Sequence, residues 1–366
     1  MSVPRAAMIL AAGRGERMLP LTRGRAKPTL PVLGLPILAR ILRFLEGQGV
    51  RDVAVNAINA AESIGEVLDR HAVDGLSTEL FLEKTLMGSG GAFAAPSGLL
   101  GAHESFVVHN GDTLVDAPLD RLTQAAHQGR KRLGALLVRE GRSPLYRPVR
   151  TKDGLFRGVG DADEGDGSGE ELATYLGVAI LRREVLSRVP ADRPSSLFED
   201  VLLPLLAEGA ELAVVRHSGR WLEFTSPGRY VSSLTSLLQH ARRSGRVELP
   251  GGDAPVVPTD SGALFLAGDA VVETGASVAG ALVLERGARV RRGGLLCDCV
   301  LLEGASVTAG VFMQRVAVEA GLDVDGPRQH RDGTLSHNED AAEGAARVSF
   351  HAARSRAREA AGESSI

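Results

Sequence analysis

Apolar positions in the first half of the chain follow two alternating periods. Residues 7–11 form a short, unbroken apolar run that leads into glycine, which predicts a strand buried on both faces. Ile37, Leu38, Ile41, Leu42 and Leu45 recur at helical spacing. Asp52–Ala57 returns to strand, and a helix is predicted around residues 61–71. Further strands are predicted at 78–82, 105–109 and 134–138, with a surface helix at 119–128. This alternation predicts an α/β, Rossmann-like domain with a mostly parallel sheet and helices on both faces. Ligands in such folds bind beyond the carboxyl ends of the strands.

The second half opens with a glycine-rich, acidic stretch at 161–171, predicted to be an exposed loop. Strand texture returns at 175–181, and residues 197–207 are apolar at helical spacing despite Pro204. Ser226 and Pro227 read as the N-cap and first residue of a helix running to about Arg242. Past Pro250 the texture changes. Residues 251–258 have the composition of a linker, and a repeat then begins. Leu266, Val272, Val278, Leu284, Val290, Leu296 and Leu302 fall at a strict spacing of six. Such a period predicts a left-handed parallel β-helix whose aliphatic residues point inward and stack on one another. From Asp323 onward the chain is rich in Gly, Ala, Arg, Ser and Glu, which predicts a mobile tail with a short helix near 345–360. The expected domains are an α/β domain over 1–245, a linker over 246–259, the β-helix over 260–322 and the tail over 323–366.

Composition narrows the function. At 366 residues the chain is too long for one ordinary core. A net charge of -3 gives no global field toward nucleic acid or an acidic membrane, so phosphate binding must be local. Aromatic residues at 4% argue against single-strand binding by base stacking. The 2 cysteines, Cys297 and Cys299, have no distant thiols to pair with, so a reducing cytoplasm is the expected location. No run approaches the length of a membrane span.

The stretch from Leu10 to Val32 carries the most chemistry: a buried strand runs into Ala11, Ala12, Gly13, Arg14, Gly15, Glu16 and Arg17, then a basic cluster that ends at Lys27. Glycines let backbone N–H groups approach phosphate oxygens, Arg17 can fork onto them, and Lys27 can place a compact charge beside them. A glycine pair after a strand is by itself an ordinary turn. The whole stretch resembles the signature of the sugar-1-phosphate nucleotidylyltransferase family, matched at Gly13, Gly15, Arg17, Pro20, Leu21, Thr22, Lys27, Pro28, Pro31 and Val32. Three later segments extend the resemblance in the right order. Residues 86–93 are similar to the family segment whose backbone reads the nucleobase, here through Gly88, Ser89 and Gly90. Asn110-Gly111-Asp112 resembles the segment whose aspartate holds the catalytic magnesium, and Tyr175-Leu176-Gly177-Val178 the strand whose glycine lies against the sugar.

The resemblance implies nucleotide contacts from Leu10 to Arg17, Lys27 and Gly88–Gly90; sugar contacts at Asn110 and Gly177; and Arg17, Lys27 and Asp112 as catalytic groups with Mg²⁺ as cofactor. It also implies a second metal ligand in the Trp221–Pro227 segment, where this chain has Glu223 in place of aspartate and Thr225 in place of glycine. A Glu-Lys-Pro segment that many relatives carry before the sugar strand is absent. Substrates are expected to be a nucleoside triphosphate and a sugar 1-phosphate. Guanylyl transfer to mannose 1-phosphate is the leading reading, and uridylyl transfer to an amino-sugar or glucose 1-phosphate the alternative. A non-catalytic paralogue that binds a nucleotide sugar is the rival from another class. No histidine lies between His240 and His330, so the repeat is expected to build a homo-oligomer rather than act as an acyltransferase. Lys27 and Arg17 are expected to be partly exposed, Glu83 to be a solvated charge and His109 to be structural.

Overall fold

The computed structural model describes residues 2–160, 169–337 and 348–352. Most of the predicted loop at 161–171, and much of the helix predicted near 345–360, lie outside these residues. The chain forms two compact units that do not follow chain order. One comprises Met1–Arg14 and Ile41–Trp221, the other Gly15–Arg40 and Leu222–Ile366.

The first unit is built on a nine-stranded sheet. Its strands are β1 (Ala6–Leu10), β2 (Asp52–Ala57), β3 (Ser77–Leu82), β4 (Ser105–Asn110), β5 (Arg132–Glu140), β6 (Val149–Lys152), β7 (Leu155–Val159), β8 (Glu171–Arg182) and β9 (Glu211–Arg216), in the order β3-β2-β1-β4-β8-β5-β9-β7-β6. Strands β3, β2, β1 and β4 are parallel, linked by α1 (Ile37–Gly47), α2 (Ala61–Arg70) and shorter helical turns. Residues Ala6–Ile9 of β1 are fully buried, as an apolar run between two parallel neighbours requires.

The expected mostly parallel sheet is corrected in its second half, which is mixed. Strand β8 runs antiparallel to both β4 and β5, and β7 antiparallel to β9 and β6. Helices alternate with strands only as far as α3 (Leu119–Ala126); from β5 to β8 strand follows strand. Parallel neighbours need a crossover connection and antiparallel ones do not, so these strands pair head to tail. The core of this unit gathers Met8, Phe93, Phe106, Val108, Leu136, Val138 and Leu181.

The second unit contains α4 (Pro227–Ala241), started by Ser226, whose hydroxyl accepts from the Arg229 N–H, with Pro227 in the first turn. Helix α4 packs on a parallel ladder of β10 (Gly262–Leu266), β11 (Ser277–Leu284), β12 (Leu295–Leu301), β13 (Val311–Val318) and β14 (Arg328–His337). A second parallel sheet joins the short strands Val271–Val272, Arg289–Val290, Ser306–Val307 and Asp323–Val324. Register sets the coil length: Ser277 pairs Leu295, a step of 18, whereas Leu284 pairs Leu301, a step of 17.

That one-residue shortening corrects the expected stack. Leu301, not Leu302, continues the line from Leu284 to Val318 and Leu335. The register shift lies between Ala279 and Leu282, opposite Asp298, whose carboxylate accepts from the Ala281 N–H at 2.9 Å. The predicted tail is also corrected. Val324 and Leu335 are buried in the repeat core, and β15 (Val348–Ala352) adds an antiparallel strand to β14. Among the described residues no helix is long and apolar enough to cross a membrane.

Candidate active site

The carboxyl ends of β1, β2 and β3 are joined by one hydrogen-bonded chain. The Ala11 N–H donates to Asn56 Oδ1 at 2.7 Å, the Asn56 amide donates to Glu83 Oε1 at 2.7 Å, and Glu83 Oε2 accepts from the Met87 N–H at 2.9 Å. Glu83 is therefore not the solvated charge expected of it. It connects the end of β1 to the loop that holds Gly88, Ser89 and Gly90. A carboxylate with two oxygens and no donor suits this place, because both neighbours are donors.

The loop is held from its other side by residues 195–197. The Ser195 N–H donates to the Met87 carbonyl at 2.9 Å, Gly90 N–H to the Ser195 carbonyl at 2.8 Å, and Leu197 N–H to Ser89 Oγ at 3.0 Å. Gly88 has φ 72°, and a Cβ there would stand 2.5 Å from the Ser195 carbonyl oxygen; one at Gly90 would stand 2.8 Å from Ser195 Oγ. Side chains at these positions would push the two segments apart. A π-helical turn, Leu197–Leu202, follows directly where a regular helix was predicted.

At the end of β4 the Gly111 N–H donates to the Leu10 carbonyl at 2.8 Å, and the Asp112 carboxylate accepts from the Thr113 hydroxyl at 3.2 Å. Gly177 on β8 has φ 79°, and a Cβ there would lie 3.0 Å from the Asn110 amide nitrogen. The glycine thus leaves the Asn110 side chain its place against β8. His109 is buried. Its ring Nδ1 lies 2.8 Å from the Asn110 carbonyl, and burial lowers its pKa to about 4, so it stays neutral and structural as expected.

Between Arg14 and Gly15 the chain passes to the second unit. Gly15 has φ 69° and begins a one-turn helix, Glu16–Met18, while Thr22 Oγ1 donates back to the Gly15 carbonyl at 2.9 Å. Arg14, Glu16 and Arg17 are exposed, as expected for Arg17, and Met18 is buried. Lys27 corrects its expectation: it is buried, with 9% of its surface exposed. It opens a second short turn, Lys27–Thr29, with Pro28 next to it and the Thr29 hydroxyl donating to the Ala26 carbonyl at 2.8 Å. Glu223 is half-buried, just before buried Phe224 and the Ser226 cap.

The stretch 15–40 rests on groups that no sequence signal indicated. Arg25 pairs with Glu303 at 3.1 Å, the Gly34 N–H donates to both oxygens of Glu285 at 3.1 and 3.2 Å, and the Tyr230 hydroxyl donates to the Pro31 carbonyl. Burial is the main cause of the rise of the Glu285 pKa to about 8, and nearby Glu303 adds to it. Arg40 is fully buried and donates to the carbonyls of Val32, Gly252 and Leu33 at 2.8, 2.6 and 2.9 Å.

The nucleotidyl transferase family model matches residues 6–145. The N-acetylmuramate alpha-1-phosphate uridylyltransferase of Neisseria meningitidis serogroup B is 30% identical over 219 residues, covering 59% of this chain and 91% of that one. The mannose-1-phosphate guanylyltransferase of Mycobacterium tuberculosis is 28% identical over 311 residues, covering 84% and 83%. In solved structures, HddC from Yersinia pseudotuberculosis superposes with a TM-score of 0.52 at 19% identity, over 63% of this chain and 99% of that one, a likeness of fold. Carrying the signature residues and matched to a relative over nearly the whole of that relative's length, the chain belongs to the sugar-1-phosphate nucleotidylyltransferase family.

Proposed function

We propose that this enzyme transfers a guanylyl group from GTP to mannose 1-phosphate, giving a nucleotide sugar and pyrophosphate. The observation that carries this choice is the match to the Mycobacterium tuberculosis guanylyltransferase, which runs along 84% of the chain and so extends into the repeats. Uridylyl transfer to an amino-sugar or glucose 1-phosphate is the second reading, favoured by the 30% identity to the Neisseria relative.

The nucleophile is a phosphate oxygen that is already anionic, so the reaction needs no general base. What it needs is alignment and neutralisation of two anions that repel each other. The loop from Leu10 to Arg17 would bind the triphosphate through its backbone, and Arg17 would stabilise the leaving pyrophosphate. Lys27 would sit against phosphate oxygens as charge develops. Gly88, Ser89 and Gly90 would read the base, and Asn110 and Gly177 would contact the sugar.

Asp112 and Glu223 offer hard carboxylate oxygens of the kind Mg²⁺ takes. Among the described residues there is no group of three or more metal-binding side chains. Mg²⁺ is commonly held by one or two carboxylates with water and substrate phosphates, so two acids are a fitting set. When bound, the ion would neutralise phosphate charge. Glutamate at position 223 reaches one methylene further than the aspartate common in relatives. Glu223→Gln is therefore expected to raise the Mg²⁺ concentration needed for half-maximal rate, with Glu223→Asp retaining activity. Equal Mg²⁺ titrations for Glu223→Gln and parent would remove this residue from the metal site.

The hexapeptide period and the 17- and 18-residue coils support reading the repeat region as a left-handed parallel β-helix. Self-association through the flat faces of its coils is part of this reading, tested by comparing the assembly state of the full chain with that of a truncation after Arg246. A reducing cytoplasm suits the free thiols Cys297 and Cys299. The assay for function pairs each common nucleoside triphosphate with several sugar 1-phosphates and detects pyrophosphate. Release is expected only when both substrates are present, fastest with GTP and mannose 1-phosphate. A UTP preference would establish the second reading, and nucleotide-sugar binding without turnover on any pair would point to a regulatory paralogue.

A further inference from the structure

Residues 15–40 carry the signature lysine, yet they form a compact unit with the C-terminal repeats. Five contacts fasten them there. Arg25, two residues before Lys27, places both terminal nitrogens on the Glu303 carboxylate at 3.1 and 3.4 Å. Pro31, four residues after Lys27, accepts from the Tyr230 hydroxyl of α4. Gly34 N–H donates to Glu285, and the Phe265 ring lies where a Gly34 Cβ would meet it at 3.1 Å. Arg23 donates to the His337 carbonyl at 3.2 Å. Glu285 follows β11 and Glu303 follows β12, so the two acids come from successive coils.

These contacts are poor investments for stability alone. Glu285 is 2% exposed, and a carboxylate taken out of water costs more than a neutral amide or an apolar side chain would. The Arg25–Glu303 pair is partly solvated on both sides, where ion pairs contribute little to folding. Both do something an apolar contact cannot: they fix direction and register of a particular backbone stretch, one on each side of Lys27.

We infer that Glu285 and Glu303 are positioning residues for the transfer reaction, with the repeat region acting as the scaffold that sets the place of Lys27. The inference rests on the proposed role of Lys27 at the phosphates. The groups around Glu285 are Arg40, Arg25, Glu303 and Tyr230, and its proton affinity is raised chiefly by burial. Its charge therefore changes across the neutral to mildly alkaline range, so the hold on the Gly34 N–H changes there too.

The test uses the full chain and four variants: Glu285→Gln, Glu303→Gln, Arg25→Gln and the charge exchange Arg25→Glu with Glu303→Arg. Two readouts are taken. One is kcat and KM for the best substrate pair. The other is the rate at which an amine-reactive reagent labels Lys27, read by mass spectrometry against exposed Lys84, which needs no activity. Arg25→Gln and Glu303→Gln are each expected to lower kcat about tenfold with KM for the nucleotide little changed, and Glu285→Gln to do so above about pH 8, where the parent carboxylate is charged, since small displacements of a catalytic group are costly. Lys27 labelling should rise about threefold or more as the stretch opens locally. The charge exchange should recover both in part, and Glu285→Gln should flatten the pH profile of kcat between about 7 and 9. Unchanged labelling and kcat in all singles would overturn the inference, as would raised labelling with parental kcat. A parent that turns over no substrate pair defeats the functional reading; the labelling then decides by itself whether the scaffold holds Lys27.

Discussion

Lys27→Ala is expected to lower the rate of pyrophosphate release by about 10²–10³-fold, the usual effect of removing one preorganised charge from a transition state. Burial makes the effect larger than for a surface lysine. With 9% of its surface exposed, the Lys27 ammonium acts where water screens it weakly, and no solvent cation replaces it once it is gone. The fall should appear in kcat more than in KM, because charge on the bridging oxygen grows as pyrophosphate departs. Lys27→Arg should not rescue it, since the guanidinium is larger and planar and the short turn Lys27–Thr29 is closely packed. Asp112→Ala should lose a comparable factor. Both variants should melt cooperatively within several degrees of the parent, so steady-state kinetics with a melting curve checks the prediction. An unaltered kcat in Lys27→Ala would remove this lysine from the reaction.

Arg40→Met is expected to be the most damaging single change to folding. The Arg40 guanidinium is wholly buried and satisfies three backbone carbonyls, those of Val32, Leu33 and Gly252. Methionine fills much of the volume but donates nothing, which leaves those carbonyls without this donor in a dry site. The loss is about 3–5 kcal/mol, the range for breaking a buried charge-assisted network. In a domain of this size that corresponds to a fall in melting temperature of about 10 °C. Arg40→Lys should recover only part, because one ammonium cannot reach three carbonyls spread around a planar fork. Calorimetry reads the outcome directly, and a melting temperature within two degrees of the parent would contradict it.

Much of this protein is legible one residue at a time, and the exceptions have physical causes. The predicted strand at Asp52–Ala57 is found with the same bounds, and the helix read from Ile37 to Leu45 is Ile37–Gly47. These elements declare themselves through local periodicity. The mixed half of the sheet does not, because whether β8 lies between β4 and β5 depends on pairing between distant segments. Strands β6 and β7 are short and carry charged residues, so their alternation is faint. The repeat was visible in its period, but the shift from 18 to 17 residues per coil moves the stack from Leu302 to Leu301, a register effect that counting by six cannot detect. In the site, the signature named the glycines and charges but not what supports them. Asn56, Ser195, Glu285 and Glu303 act through partners between 27 and 278 residues away, and Glu83 joins Asn56, 27 residues back, to Met87 just ahead of it. Lys27 reads as exposed because lysines usually are, yet it is buried at the start of the short turn Lys27–Thr29.

In the transfer reaction a sugar-phosphate oxygen attacks the α-phosphorus of the nucleotide and the α–β bond breaks. A sugar 1-phosphate carrying heavy oxygen in its phosphate group follows this bond by bond. With unlabelled triphosphate and the purified enzyme, phosphorus NMR of the products should keep every labelled oxygen bonded to the sugar-side phosphorus of the nucleotide sugar, with the one in the phosphate bridge shifting the nucleoside-side phosphorus as well, and none in pyrophosphate. Label in pyrophosphate, or nucleotide hydrolysis that leaves the labelled sugar phosphate unchanged, would contradict it.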